Sequence, residues 1–131
     1  MSLIPLLHVD AIAPAVRFYV DVLGFRCAGV WPSNTDPAYA VLQWPDETGA
    51  LHEAHLSSHG GDGRSGQAFM VVTRDVRGVH AACVARGLDQ AHRTDSPVHL
   101  GPTQQTWGTI EFYADDPSGN RVIFAERPSG A

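Results

Sequence analysis

The chain has 131 residues, 44% of them hydrophobic and 18% charged, with 13 glycines, 9 prolines and two cysteines. This suits one compact domain, residues 1–131, able to bury a core of its own without a disulfide framework or a structural metal. Nine Lys and Arg against fourteen Asp and Glu give a formal net charge of −5, so no basic excess favours nucleic acid or an anionic membrane as partner.

No apolar run approaches the ~20 residues that span a bilayer, and the N-terminus lacks the basic and apolar regions of a secretory signal. Cys27 and Cys83 lie far apart without CxxC spacing. They read as reduced, small buried residues of a cytoplasmic protein.

In chain order, Leu6–Val9 reads as a short strand with Pro5 at its start. Pro14 fits the first turn of a following helix, Val16, Tyr19, Val20 and Leu23 recur as one apolar stripe, and Gly24 ends it. Phe25–Trp31 reads as a second strand and Pro32–Pro37 as a loop. Tyr39–Trp44 and Leu51–Ser57, joined across residues 45–49, predict a hairpin. Ser58–Gly66 has four glycines and no apolar residue, which predicts a flexible surface connection.

The pattern then begins again. Ala68–Val72 reads as a strand, and Val76, Val79, His80 and Cys83 as a helical face closed by Gly87. Thr109–Ala114 and Arg121–Ala125, with the turn 115–120, form a second predicted hairpin. Aligning Gly24 with Gly87 brings Val9 onto Val72, Val16 onto Val79 and Val20 onto Cys83, while Gly49 and Gly119 are matching turn glycines. The predicted fold class is α+β: two βαβββ units, residues 4–57 and 67–126, forming a curved mixed sheet around a cleft. Gly24 to Gly49 is 25 positions and Gly87 to Gly119 is 32, which predicts a loop insertion near Ser96–Gln105.

The segments FYVDVLGF (Phe18–Phe25) and TWGTIEFYADDPSGNRVIF (Thr106–Phe124) resemble signatures of the vicinal oxygen chelate superfamily. Within it the chain is most similar to the glyoxalase/bleomycin resistance protein group, along nearly its whole length. Enzymes of the superfamily typically bind a divalent metal through His and Glu on the cleft faces. The resemblance puts those positions on Ile4, on or beside Gly66, and on Ile123. None of these side chains ligates a metal, so neither metal nor cofactor is expected. Strand alternation supports this register: Arg121, Ile123 and Ala125 face the cleft, with Val122 and Phe124 under the helix. Ile4, Leu6 and His8 likewise face the cleft, with Leu7 and Val9 buried.

Seven histidines invite a metal reading. His52 and His55 lie three apart in a strand and so point to opposite faces, and H-E-A-H is not the helical H-E-x-x-H motif. His59, His92 and His99 read as solvated loop residues, and His80 as a hydrogen-bonded core residue. His8 is placed in the cleft.

Trp31, Trp44, Trp107, Tyr39 and Tyr113 offer flat surfaces for an aromatic ligand. Trp44 reads equally as a core or interface residue. Trp107 precedes the glycine of the second signature, near the cleft mouth. Glu111 and Tyr113 alternate with Ile110 and Phe112, as in a strand with one wet face, and Glu111 with the overall acidity would favour a cationic guest. The candidate ligand-binding residues are Trp107, Glu111, Tyr113 and Tyr39, with His8, Arg121 and Trp44; no catalytic residue is assigned.

The resemblance implies a non-catalytic protein that sequesters a bleomycin-type or other aromatic cationic compound. The cleft would lie at the interface of a homodimer, with the N-terminal strand exchanged at a proline hinge, here Pro5. The alternative is an enzyme of the same fold, a glyoxalase-type lyase or isomerase or a dioxygenase, with a non-standard or absent metal site. His8, Glu111 and Arg121 would then supply its acid–base and anion-binding groups. A third reading is a dimeric interaction module whose clefts are filled by side chains.

Overall fold

The computed structural model describes residues 2–89 and 95–128. Strand β1 (Leu6–His8) leads into helix α1 (Ile12–Arg17), which widens into a π turn over Phe18–Val22. Then follow β2 (Arg26–Trp31), β3 (Tyr39–Pro45) and β4 (Leu51–Ser57). The second half consists of β5 (Ala68–Val72), α2 (Val76–Ala85), α3 (Pro97–Leu100), β6 (Thr103–Gln104), β7 (Ile110–Asp115) and β8 (Arg121–Glu126). Two four-stranded sheets result, ordered β1-β4-β3-β2 and β5-β8-β7-β6. In each, the first strand runs parallel to the last and the other pairs are antiparallel. The α+β fold of two βαβββ units is therefore present, with mixed, open sheets. No helix among the described residues is long and apolar enough to cross a membrane.

Three local expectations are corrected. The buried residues of the first helical segment are Ile12, Ala15, Tyr19 and Leu23, whereas Val16 and Val20 are half-buried. Tyr19 and Leu23 of the expected stripe are fully buried, and the buried face continues one turn earlier through Ala15 and Ile12; within the π turn Leu23 N–H donates to Phe18 O at 3.2 Å, five residues back. Gly24, at φ +89°, ends the segment in a conformation that L side chains rarely adopt. Ser96–Gln105 is not a bare loop insertion, because it contains α3 and β6. Thr103 and Gln104 pair with Glu111 and Ile110, as β2 pairs with β3.

The third correction concerns Ser58–Gly66, whose far end is fastened. Ser65 Oγ donates to His8 O at 3.1 Å, and Asn120 Oδ1 accepts from the N–H groups of Gly66 and Gln67 at 3.0 and 3.1 Å. A polar loop gains order when its donors find buried acceptors.

The helix-facing sides of both sheets merge into one core. Phe124 stacks on Phe112 with centroids 4.8 Å apart, and Phe25 meets Phe69 at 6.3 Å across the two units. Tyr19 O–H donates to Asp116 Oδ2 at 2.9 Å. Burial first, and then the adjacent carboxylate, hold this phenol far above its ordinary pKa. Asn120, fully buried, also donates from Nδ2 to His8 O at 2.7 Å, joining the β7–β8 turn to the end of β1. On the other side, Glu47 of the β3–β4 turn accepts from Thr73 Oγ1 and Arg74 N–H at 3.2 and 2.8 Å. Each unit's hairpin turn thus grips the end of the other unit's first strand.

Candidate functional site

The open face of the first sheet is set by strand register. His8, Ser57, Tyr39 and Trp31 form one cross-strand row; Leu6, His55, Val41 and Gly29 form the next; Glu53, Gln43 and Arg26 form a third. Tyr39 O–H lies 2.6 Å from His55 Nδ1, and His55 Nε2 lies 3.1 Å from Glu53 Oε2. His8 Nδ1 is 3.2 Å from Ser65 Oγ. His52 sits on the opposite face, opposite Trp44, and pairs with Asp46 Oδ2 at 2.8 Å. Hydrogen bonds from Thr48 first, and then from His52, hold the Asp46 carboxyl well below the usual carboxylate range.

Glu53 and His55 were absent from the candidate residues. A signal existed: two residues apart in a strand, they share a face, and Tyr39 occupies that face one row away. Separating His52 from His55 was correct, but it left His55 without the partners that the register supplies.

The second sheet's open face carries Glu111, Tyr113 and Asp115 on β7 beside Ala125, Ile123 and Arg121 on β8. Glu111, although on that face, is only 2% exposed and so is not solvated as the alternation predicts. Its Oε2 accepts from Thr109 Oγ1 at 2.7 Å and Trp107 Nε1 at 3.3 Å, while the Trp107 ring itself is 65% exposed. The Arg121 guanidinium lies 4.9 Å from the Tyr113 ring centroid and donates from Nε to Asp115 Oδ1 at 3.1 Å.

His99 is buried, not solvated: Ser96 Oγ lies 2.7 Å from its Nδ1, and Asp115 Oδ2 lies 3.0 Å from its Nε2. Burial raises the Asp115 carboxyl, but hydrogen bonds from His99 and Arg121 outweigh it, and the net pKa is below the ordinary value. A short helix with one polar anchor looks like a loop in sequence, which hid the burial of His99. His80 lies edge-on to Phe112 with centroids 4.9 Å apart. His92 lies outside the described residues.

The seven candidate ligand residues therefore do not form one group. His8 and Tyr39 belong to the first open face, and Trp107, Glu111, Tyr113 and Arg121 to the second. Trp44 belongs to the core side, 4.9 Å from Phe25 and 5.5 Å from Phe124 between ring centroids. It also borders a cavity of about 900 Å³ between the first half of β4 and β5. That wall includes the aromatic rings of Phe25, Trp44 and Phe69 and the carboxylates of Asp46, Glu47 and Glu53, with no Lys or Arg among its described residues. Of the two cysteines, Cys83 is buried, but Cys27 is exposed at the bulge where β2 shifts register against β3.

The donor set does not fit the metal implied by the vicinal oxygen chelate resemblance. Ile4 and Ile123 offer only hydrocarbon, and Gly66 has no side chain. Among the described residues, no group of three or more His, Cys, Asp or Glu lies close enough to hold a metal ion.

Comparison with known proteins agrees with this architecture. The sequence profile of the Glyoxalase/Bleomycin resistance protein/Dioxygenase superfamily matches residues 5–124. A bleomycin resistance determinant encoded on transposon Tn5 superposes with a TM-score of 0.72 at 18% identity, over 97% of this chain and 98% of that one. A bleomycin-binding protein complexed with bleomycin gives 0.67 at 18% identity over 97% and 98%. A glyoxalase-related enzyme from Clostridium phytofermentans gives 0.72 at 18% over 97% and 95%. At such identities the likeness is one of fold. No curated protein sequence matches the chain.

Proposed function

The chain belongs to the glyoxalase/bleomycin resistance protein/dioxygenase superfamily, and from that premise we propose that it is a small-molecule binding protein. It sequesters a bleomycin-type or other aromatic cationic compound without chemical change. The observation that carries this reading is the cavity at the seam of the two sheets, with its aromatic rings, three carboxylates and no Lys or Arg among the described lining residues. Apolar walls with a few polar groups of one sign suit a flat organic cation. The net charge of −5 attracts the same guest at longer range.

His8, Tyr39, Trp107, Glu111, Tyr113 and Arg121 extend the contact surface over the open faces. The protein works as a homodimer with clefts between subunits. Supporting this, Leu51 on the first open face and Met70 and Val72 on the second are each between 44% and 52% exposed. β1 pairs with β4 only over residues 55–57, which leaves the start of β4 beside the cavity for an exchanged N-terminal strand hinged at Pro5. Two unbridged cysteines suit a cytoplasmic setting. The enzyme reading draws on His8, which lies 3.2 Å from Ser65 Oγ, and on Glu111 and Arg121, whose side chains are already engaged by Thr109, Trp107 and Asp115.

Calorimetric titration with metal-free bleomycin, followed also by tryptophan fluorescence, tests the proposal. Saturable binding with Kd below about 1 µM, roughly −8 kcal/mol, and recovery of unchanged ligand are expected. No heat and no fluorescence change would remove bleomycin, and a chemically altered ligand would remove sequestration. Sedimentation at micromolar concentration should show a dimer; a monomer alone would contradict the shared cleft.

A further inference from the structure

Glu53, His55 and Tyr39 form a directed hydrogen-bond chain on the first open face, and none of the comparisons assigns them a role. A carboxylate only accepts, so His55 Nε2 carries the proton that reaches Glu53 Oε2 at 3.1 Å. With Nε2 as the ring's protonated nitrogen, Nδ1 offers a lone pair, and Tyr39 O–H donates to it at 2.6 Å. The phenolic proton is thereby committed, and lone pairs are what Tyr39 Oη offers to anything above the sheet. Each bond polarises the next and the chain ends on a charge, which strengthens Tyr39 as an acceptor.

The surroundings add shape to that acceptor. Trp31 is the cross-strand neighbour of Tyr39 and is 50% exposed, a flat apolar surface one strand away. Arg26 shares the face with Glu53, with Gln43 between them. The other titratable group in the Tyr39 row is His8, across Ser57. Aligned on Gly49 and Gly119, the second sheet has Ile123 and Ala125 where the first has Glu53 and His55, so the chain of groups is particular to one sheet.

We infer that the open face of the first sheet is a recognition site for a planar ligand bearing an acidic hydroxyl, a phenol or an enol. The ligand O–H donates to Tyr39 Oη and the ring lies on Trp31. No proton is transferred and no bond is broken. The inference does not require the captured guest of the cavity to be cationic, or to be bleomycin.

The test uses 4-nitrophenol, whose ionised form absorbs in the visible and whose neutral form does not. At a pH near the probe's own ionisation, wild-type protein should bind it saturably and deplete the phenolate band, because the bound probe keeps its proton. Tyr39→Phe should weaken binding at least about tenfold, and Glu53→Gln, which retains an acceptor but loses the charge, about two- to fivefold. Circular dichroism confirms that each variant is folded, and Glu53→Gln, at a side chain 39% exposed, keeps the test available if Tyr39→Phe is unstable. Absence of saturable binding to wild type, binding of the phenolate form, or equal affinity in both variants would overturn the inference. Bleomycin titrated into wild-type protein distinguishes this inference from the capture reading. Failure of bleomycin to bind wild type would remove the cavity's proposed guest while nitrophenol still reads this face.

Discussion

On their buried sides the two sheets are close to interchangeable. Leu42 and Leu56 in the first, and Phe112 and Phe124 in the second, are all 0% exposed and meet in one core. On their open sides they diverge: the first carries Tyr39, His55 and Glu53 in one hydrogen-bonded chain, while matching positions of the second hold Ile123 and Ala125. The second sheet's own carboxylates, Glu111 and Asp115, are engaged by neighbouring side chains. Burial against a helix restricts the residues that a repeat can use, whereas an open antiparallel face accepts polar chemistry. The difference teaches that this repeat is conserved in packing and divided in chemistry.

The comparison is sharpened first by truncating its shared side. Phe124→Ala should cost about 4 kcal/mol and Leu56→Ala about 3 kcal/mol in urea unfolding, since both vacate fully buried space. A loss under about 1 kcal/mol in either would break the equivalence of the buried faces.

A slightly smaller effect probes the seam. Asn120→Ala leaves the N–H groups of Gly66 and Gln67 without their acceptor and removes one of the two donors to His8 O, and should cost about 2–3 kcal/mol by the same measurement. The matching position in the first turn is Ala50, so this part of the seam is built from one side only.

The open faces should respond more weakly. Tyr39→Phe removes one half-buried hydrogen bond and should cost about 1 kcal/mol of stability, against its larger expected effect on 4-nitrophenol binding. Asp115 sharpens the acid side of the comparison. Its folded pKa is depressed, so its contribution is fully present above the unfolded carboxyl value of about 4 and is lost as pH falls through the lower folded value. Asp115→Asn should flatten the acid limb of a stability–pH profile; an unchanged limb would show that its pairing with His99 and Arg121 contributes nothing. The smallest perturbation is chemical. Exposed Cys27 should react promptly with a thiol reagent, whereas Cys83, whose thiol burial pushes up, should react only on unfolding.

Much of the fold was legible because its signals are local. Period-two alternation and turn glycines located both hairpins, and β5 and the register of β8 followed from the same alternation. In the first helix Tyr19 and Leu23 were legible as buried, whereas Ile12 and Ala15, one turn earlier, were not on the stripe that was read. Less of the site was legible. Glu111 looks like a wet-face carboxylate until Thr109 and Trp107 fold over it, and nothing in the sequence shows that Trp44 both packs on Phe25 and Phe124 and borders a cavity. Tyr39 and His55 are sixteen positions apart, and only the register of β3 on β4 brings them together.

The most direct test of the capture account is an amide and indole chemical-shift map during titration with metal-free bleomycin. The account predicts saturable shifts concentrated at the Trp44 indole, along residues 46–53 and along β5, with helix α2's exposed face unmoved. Saturable shifts confined to that helix, or no shifts at ligand excess, would contradict it.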